Sequence, residues 1–156
     1  MDRIAQVLTL VAVVLSGCAT SGTSDQTASK KRAIVPPSQA AQYREFQYAP
    51  AMQAGPMLYL SGVVATVEDG ESTLLPAIER AFDEIELILR EAGADWSDVV
   101  DVTSYHTDLD NSIGPLWQIK GQRVPAPYPA WSAIGVDRLY GGEPAIIEIK
   151  VTAYRP

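Results

Sequence analysis

Three segments of the chain carry a clear pattern of apolar and polar positions. Over residues 74–92, apolar side chains recur at three- and four-residue spacing, which predicts an amphipathic helix with Pro76 in its first turn and Gly93 at its C-terminal cap. Over residues 145–154, apolar side chains occupy every second position, which predicts a strand with one buried face. Residues 57–64 are apolar on both faces, as is typical of a strand in the centre of a sheet.

Weaker patterns complete the element order. Residues 43–48, 97–107 and 130–136 are predicted to be strands, and residues 111–123 a second, shorter helix. The resulting order, β-β-α-β-α-β-β, predicts an α+β sandwich in which two helices cover one face of a mixed sheet. The other face of such a sheet also needs cover, which oligomerisation commonly supplies.

The amino-terminal residues resemble a targeting segment. After Arg3, residues 4–15 form an apolar run, shorter than the roughly 20 residues that span a bilayer. The run ends in Leu-Ser-Gly-Cys at residues 15–18, which resembles the lipobox of bacterial lipoproteins. This resemblance implies a signal peptide over residues 1–17, lipidation of Cys18, and a folded domain anchored in the bacterial cell envelope outside the cytoplasm. The alternative is a soluble chain that begins with a chance apolar run.

Residues 18–39 are predicted to be a flexible linker, because they are rich in Ser and Thr and bury little apolar area. Three cations at residues 30–32 either rest on anionic lipid headgroups or belong to a solvated linker. Residues 40–156 are the predicted domain. They hold eight basic and 17 acidic residues, a net charge of −9. We therefore expect no nucleic acid among the partners, since a polyanion would be repelled.

Composition excludes several kinds of site. The chain has one Cys and one His, so we expect neither a disulfide framework nor a Cys- or His-rich metal centre. It also lacks a Gly-rich phosphate loop, and no cofactor is predicted. The single histidine, His106, lies in a predicted strand. It is a weak candidate for a general base, and the alternative is a histidine whose hydrogen bonds are satisfied within the sheet.

The motifs of the domain resemble those of the reactive intermediate deaminase family, also called RidA or YjgF. The resemblance covers residues 43–155 and rests on the order and spacing of several short motifs. These are Met-Leu-Tyr-Leu-Ser-Gly at 57–62, the helix and strand of 78–100, Asp-Leu at 108–109, Pro-Ala-x-Ser with the following Val and Arg-Leu within 129–139, and Ile-Glu-Ile at 147–149.

This resemblance implies a chorismate-mutase-like fold and a barrel-like homotrimer with three clefts between subunits. Family members hydrolyse 2-imino acids and enamines to 2-oxo acids and ammonia without a cofactor. Among the family's pocket residues, Tyr48, Ser61 and Gly62 have counterparts here. The Arg that clamps the substrate carboxylate falls on Trp131, and the Glu that positions water falls on Lys150.

These two exchanges change the expected chemistry. Trp131 offers a stacking surface and one N–H donor in place of a bidentate clamp, or it packs as an interface aromatic. Lys150 attracts a carboxylate as a point charge, or it is an exposed lysine paired with Glu148. We therefore expect a trimer that binds a small molecule through Tyr48, Ser61, Gly62, Trp131 and Lys150 without the family's deaminase activity. The alternative is an enamine or imine hydrolase in which Lys150 or His106 has a new catalytic role.

Overall fold

A computed structural model describes residues 30–156, which form one sheet with helices packed against it. The strands are β1 (Lys31–Ile34), β2 (Ala51–Ala54), β3 (Met57–Leu60), β4 (Val63–Thr66), β5 (Val99–His106), β6 (Ala130–Gly135) and β7 (Ala145–Tyr154). The helices are α1 (Ala40–Phe46), α2 (Leu75–Glu91) and α3 (Leu109–Arg123). Short 3₁₀ helices lie at Pro37–Gln39 and Trp96–Asp98. None of the helices in this part of the chain has the length and hydropathy of a bilayer-spanning segment.

Strand β7 is the centre of the sheet, which runs in the order β1-β2-β3-β7-β5-β6. One edge of β7 pairs with β4 over its first half and with β3 over its last residues, while the other edge pairs with β5. The pairing of β5 with β6 is parallel, and α3 makes the crossover between them. The remaining strand pairs described are antiparallel.

The hydrophobic core lies between the sheet and α2 and α3. The buried face of α2 repeats at helical spacing: Ala77, Ile78, Ala81, Phe82, Ile85, Ile88 and Leu89. It faces the buried alternate positions of β7, which are Ala145, Ile147, Ile149, Val151 and Ala153. Intervening positions of β7, such as Lys150 and Tyr154, are exposed on the open face of the sheet. The predicted α+β class is confirmed, and so are the long helix and the last strand.

Two predicted boundaries are wrong. Residues 43–48 were expected to be a strand, but Tyr43 belongs to α1, which ends where Gln47 adopts a left-handed conformation with φ 52°. The predicted linker also extends too far, because β1 pairs with β2 and Ile34 is only 2% exposed. The domain therefore begins before residue 40. The predicted signal peptide, Cys18 and the first part of the linker lie outside the described residues.

Candidate functional site

The sheet is interrupted where β3 passes into β4. Tyr59 pairs with Thr152 and Val63 pairs with Ile149, so the three residues 60–62 stand opposite only two residues of β7. One extra residue on one side is the geometry of a β-bulge, which locally ends regular pairing and often re-aims side chains at functional sites. The predicted strand at 57–64 is thus two strands, and Ser61 and Gly62 lie in the gap between them.

The loop after α1 is fastened to this gap by three hydrogen bonds. The Ser61 backbone N–H donates to the Pro50 carbonyl at 2.9 Å, and the Ser61 hydroxyl donates to the Ala49 carbonyl at 2.8 Å. The Tyr48 hydroxyl donates to the Gly62 carbonyl at 3.2 Å. Gly62 therefore positions the Tyr48 hydroxyl, and Ser61 holds the two residues that follow Tyr48.

An open cleft of about 590 Å³ lies over the gap. Its lining residues are Gln47, Tyr48, Ala49, Met52, Tyr59, Leu60, Ser61, Gly62, Glu148 and Lys150. The structure thus brings together four of the five predicted ligand-binding residues, Tyr48, Ser61, Gly62 and Lys150. A phenol, an ammonium group and a carboxylate share one cleft, so it offers both donors and an acceptor to a small polar molecule.

Glu148 was not among the predicted site residues. The signal was present in the sequence, since Glu148 precedes Lys150 by two residues and must share its face of the strand. The two side chains are not paired: among residues 30–156, no carboxylate lies within 4.0 Å of the Lys150 ammonium. Gly62 makes room for the carboxylate, because a Cβ atom at residue 62 would lie 2.7 Å from Glu148 Cγ and overlap the carboxyl group.

Trp131 does not join this cleft within its own subunit. On β5, Val102 pairs with Trp131 of β6, whereas the next residue, Thr103, pairs with Lys150 of β7. Successive residues of a strand point to opposite faces, so Trp131 lies on the helix-covered face and Lys150 on the open face. The Trp131 indole packs against the core there, and its N–H donates to the Ser104 hydroxyl at 3.1 Å.

His106 lies in the core as well, with no exposed surface. The Ser112 hydroxyl donates to the Asp108 carbonyl, so it accepts from His106 Nδ1–H at 2.7 Å. The Ser104 hydroxyl hydrogen has two acceptors within reach, His106 Nε2 at 2.9 Å and the Ser132 carbonyl at 3.5 Å. The nearer acceptor, Nε2, is assigned the hydrogen, which leaves the Ser104 oxygen to accept from Trp131. This network assigns a neutral imidazole with the proton on Nδ1. Burial lowers the pKa of His106, and His106 does not line the cleft. These observations favour a histidine whose hydrogen bonds are satisfied inside the fold over a general base.

The side chains of residues 30–156 were also compared with the requirements of a metal site. Within residues 30–156, no group of three or more His, Cys, Asp or Glu side chains is arranged to hold a metal ion. The cleft contributes one carboxylate, Glu148, as a potential ligand. A hard divalent cation normally takes several such oxygen ligands, so the groups of the cleft suit an organic ligand better.

Comparison with known proteins gives one consistent answer. Residues 38–155 match the family model described as Endoribonuclease L-PSP. The chain is 36% identical over 130 residues to the RutC family protein YjgH of Escherichia coli K12, covering 81% of this chain and 97% of that protein. It is 30% identical over 112 residues to the RutC family protein PYRAB12510 of Pyrococcus abyssi, covering 69% and 86% of the two chains.

Solved structures agree with these relatives. The structure described as protein YJGH superposes with a TM-score of 0.70 at 35% identity, covering 81% of this chain and 98% of that one. RidA from the Antarctic bacterium Psychrobacter sp. PAMC 21119 superposes with a TM-score of 0.60 at 28% identity, covering 69% and 87%. The family model, the relatives and the solved structures thus agree, and the chain belongs to the RidA/YjgF family, the family described as Endoribonuclease L-PSP.

Proposed function

We propose that this protein binds a small carboxylate-bearing metabolite in the cleft over the Ser61-Gly62 gap, without the imine-hydrolysing activity implied by the family resemblance. The observation that carries the proposal is the Lys150 ammonium, which lines the cleft beside Tyr48 with no carboxylate within 4.0 Å among residues 30–156. A cation that has no ion-pair partner and lines a cleft attracts an anion. The ligand's carboxylate occupies this position in our proposal.

The remaining groups of the cleft define the rest of the ligand. Lys150 is a compact point charge, so it holds a carboxylate less tightly and less directionally than a bidentate arginine would. Glu148 carries an acceptor-only carboxylate into the same space when ionised. It would repel a dianion and accept a hydrogen bond from an N–H or O–H group. A small monoanion with such a donor therefore suits the cleft best.

We also propose that the protein is a homotrimer. The open face of the sheet carries Tyr59 and Tyr154, which are 47% and 46% exposed, and no helix covers this face within the described chain. A second copy of the chain would bury these rings and enclose the cleft. Sedimentation equilibrium should give three times the monomer mass, and a monomer at micromolar concentration would contradict the trimer.

Binding is tested with L-lactate, a monoanion with one O–H donor, as the probe and with calorimetry as the measurement. Replacing Lys150 by Met should weaken lactate binding by about tenfold, the loss of roughly 1.4 kcal/mol of charge attraction. Arg90→Met removes the same charge from the exposed face of α2, away from the cleft, and serves as the matched control. Equal affinity in the Lys150→Met variant and the parent would overturn the proposed ligand class.

Hydrolysis of an enamine or imine is the second candidate function, and Glu148 is the observation that favours it. A carboxylate in the cleft can accept a proton from an attacking water, a role for which a protonated Lys150 is unsuited. The assay supplies 2-imino acids generated in situ by an amino-acid oxidase and follows their hydrolysis. No acceleration by the protein supports binding alone. Acceleration that Glu148→Gln or Lys150→Ala abolishes establishes the hydrolase and overturns the first proposal.

For location, we propose a lipid anchor on Cys18, which holds the domain at the cell envelope and outside the cytoplasm. The support is the Leu-Ser-Gly-Cys sequence after an apolar run, and the 12 residues between Cys18 and β1 are enough for a tether. Such a segment extends at most about 40 Å, which would keep the domain close to the membrane. The Cys18→Ala variant should move from the membrane fraction to the soluble fraction, and unchanged fractionation would contradict the anchor.

A further inference from the structure

The ammonium group of Lys120 lies among three aromatic rings. Its Nζ atom is 4.5 Å from the ring centroid of Trp117, 5.0 Å from that of Trp131 and 5.7 Å from that of Tyr128. Each distance is within the range of about 6 Å over which a cation is attracted to the face of a ring. We call Trp117, Tyr128 and Trp131 the aromatic cage.

No carboxylate shares the stabilisation of this cation. Among residues 30–156, no Asp or Glu oxygen lies within 4.0 Å of Lys120 Nζ, and no hydrogen bond of the ammonium is present there. The charge is therefore held by ring faces alone. A cation–π contact at an exposed site stabilises by about 0.5–1 kcal/mol, so three rings together form a moderate site for a positive charge.

The cage is held in place by three different elements. Trp131 is fixed by its core packing and by its hydrogen bond to Ser104. Trp117 precedes Lys120 by one helical turn on α3, so the two side chains lie on the same face of the helix. Tyr128 stands between two prolines, which restrict the backbone on both sides of it. The three rings thus already surround one ammonium group within a single subunit.

The outer side of the cage is open to solvent. Trp117 is 57% exposed and Tyr128 is 71% exposed, while Lys120 itself is half-buried. A primary ammonium is strongly hydrated and gains little by leaving water. A quaternary ammonium group is more weakly hydrated, and its methyl groups can pack on several ring faces at once. Aromatic cages are the usual recognition device for such cations.

We propose that the aromatic cage binds a small ligand with a quaternary ammonium group, and that Lys120 is an internal occupant which the ligand displaces. The four residues belong to one subunit, and none of them lines the cleft over Ser61-Gly62 of that same subunit. In the proposed trimer, Trp131 would border a cleft between subunits, so this inference rests on the proposed function for that placement and adds a cationic group to the expected ligand. Its probe and its readout differ from those of the Lys150→Met test, so the two proposals can fail separately. The aromatic cage also gives Trp131, at the position of the family's carboxylate-clamping Arg, a role in binding the opposite charge.

The test uses choline chloride as the probe, with the indole N–H resonances of Trp117 and Trp131 as the readout. The neutral isostere 3,3-dimethyl-1-butanol and an equal concentration of sodium chloride separate charge from shape and from salt. We expect choline to bind the parent weakly and the Lys120→Ala variant about tenfold more tightly, since removal of the internal cation frees all three rings. The neutral isostere should bind neither protein measurably.

A second pair of variants tests the aromatic cage without changing Lys120, in case Lys120→Ala does not fold. Trp117 is largely exposed, so Trp117→Ala spares the core and should weaken choline binding at least about fivefold. Tyr140→Ala removes an aromatic ring that is 92% exposed and lies outside the cage, and it should leave binding unchanged. Equal binding of choline and the neutral isostere, or a Trp117→Ala variant that binds choline as the parent does, would overturn the cage.

Discussion

Stability of the fold should fall when the medium becomes mildly acidic, and the cause should be His106. Burial raises the pKa of Glu84, so protonation of Glu84 would act in the opposite direction. The chain contains one histidine, so no other imidazole titrates between about pH 5 and 7. That imidazole is fully buried, and both of its nitrogens are engaged by the hydroxyl groups of Ser104 and Ser112. A second ring proton would require Ser104 to turn its own hydrogen away from Nε2.

The sign and size of the effect follow from this burial. Desolvation lowers the pKa of His106 in the folded protein below its ordinary value of 6.5. The unfolded chain therefore binds the proton first, and the stabilisation present above pH 6.5 is lost progressively below it. One proton limits the slope to about 1.4 kcal/mol per pH unit. The loss should reach at most about 1.4 kcal/mol at pH 5.5.

The assay is urea unfolding at one protein concentration, measured at pH 7.5, 6.5 and 5.5. His106→Asn is the comparison variant, because an amide group in place of Nδ1 retains a donor to Ser112. At pH 7.5 it should be less stable by about 2 kcal/mol, because the smaller side chain leaves space and Ser104 loses its acceptor. The difference between the two proteins should shrink toward pH 5.5. A parent that does not lose stability below pH 6.5, or an equal loss in the variant, would refute the assigned neutral imidazole.

Two further predictions concern other parts of the fold. Gly62→Ala should lower the free energy of unfolding in urea by about 1 kcal/mol, because the new methyl group displaces Glu148. The control is Gly121→Ala, at a helical position with open space, which should raise the free energy of unfolding by a similar amount. Equal changes in the two variants would contradict the close approach of Glu148 to residue 62. Hydrogen bonding to Arg80, with a smaller contribution from the Glu68 backbone N–H, lowers the pKa of Glu71 to about 2, so a carboxyl NMR titration should give that value in the parent and a clearly higher one in Arg80→Met. An unchanged titration in Arg80→Met would show that Arg80 is not the cause.

The regular elements were predictable because their patterns are local. The helical spacing of 74–92 and the alternation of 145–154 each specify a periodicity without reference to the rest of the chain. The apolar run at 57–64 was misread as one continuous strand for an identifiable reason. Leu58 and Leu60 are buried in β3 at even positions, while Val63 and Ala65 are buried in β4 at odd ones. The change of phase makes the run look apolar on both faces.

The candidate site was predictable only in part, because the family resemblance indicates which residues belong to it but not which face of the sheet each side chain occupies. Tyr48, Ser61, Gly62 and Lys150 were reached through the family resemblance, and they meet in one cleft. The orientation of Trp131 depends on its parallel register with β5, and no local pattern within β6 reports that register. β1 was missed since its four residues follow a Ser- and Thr-rich segment and gain their burial from pairing with β2.

Because a single unmatched residue separates β3 from β4, the cleft could be removed without changing the hydrophobic core. Residues paired across β3 and β7 have numbers that sum to 211, and the pairs of β4 with β7 from Val63 to Ala65 sum to 212. Deleting Gly62 would bring both ladders into one common register and would keep Leu60 and Val63 on the inner side. Such a chain would fold around the same hydrophobic core, with one continuous strand in place of the gap beneath the cleft. Within this domain, the deletion of one codon would therefore remove the cleft and leave the hydrophobic core in place.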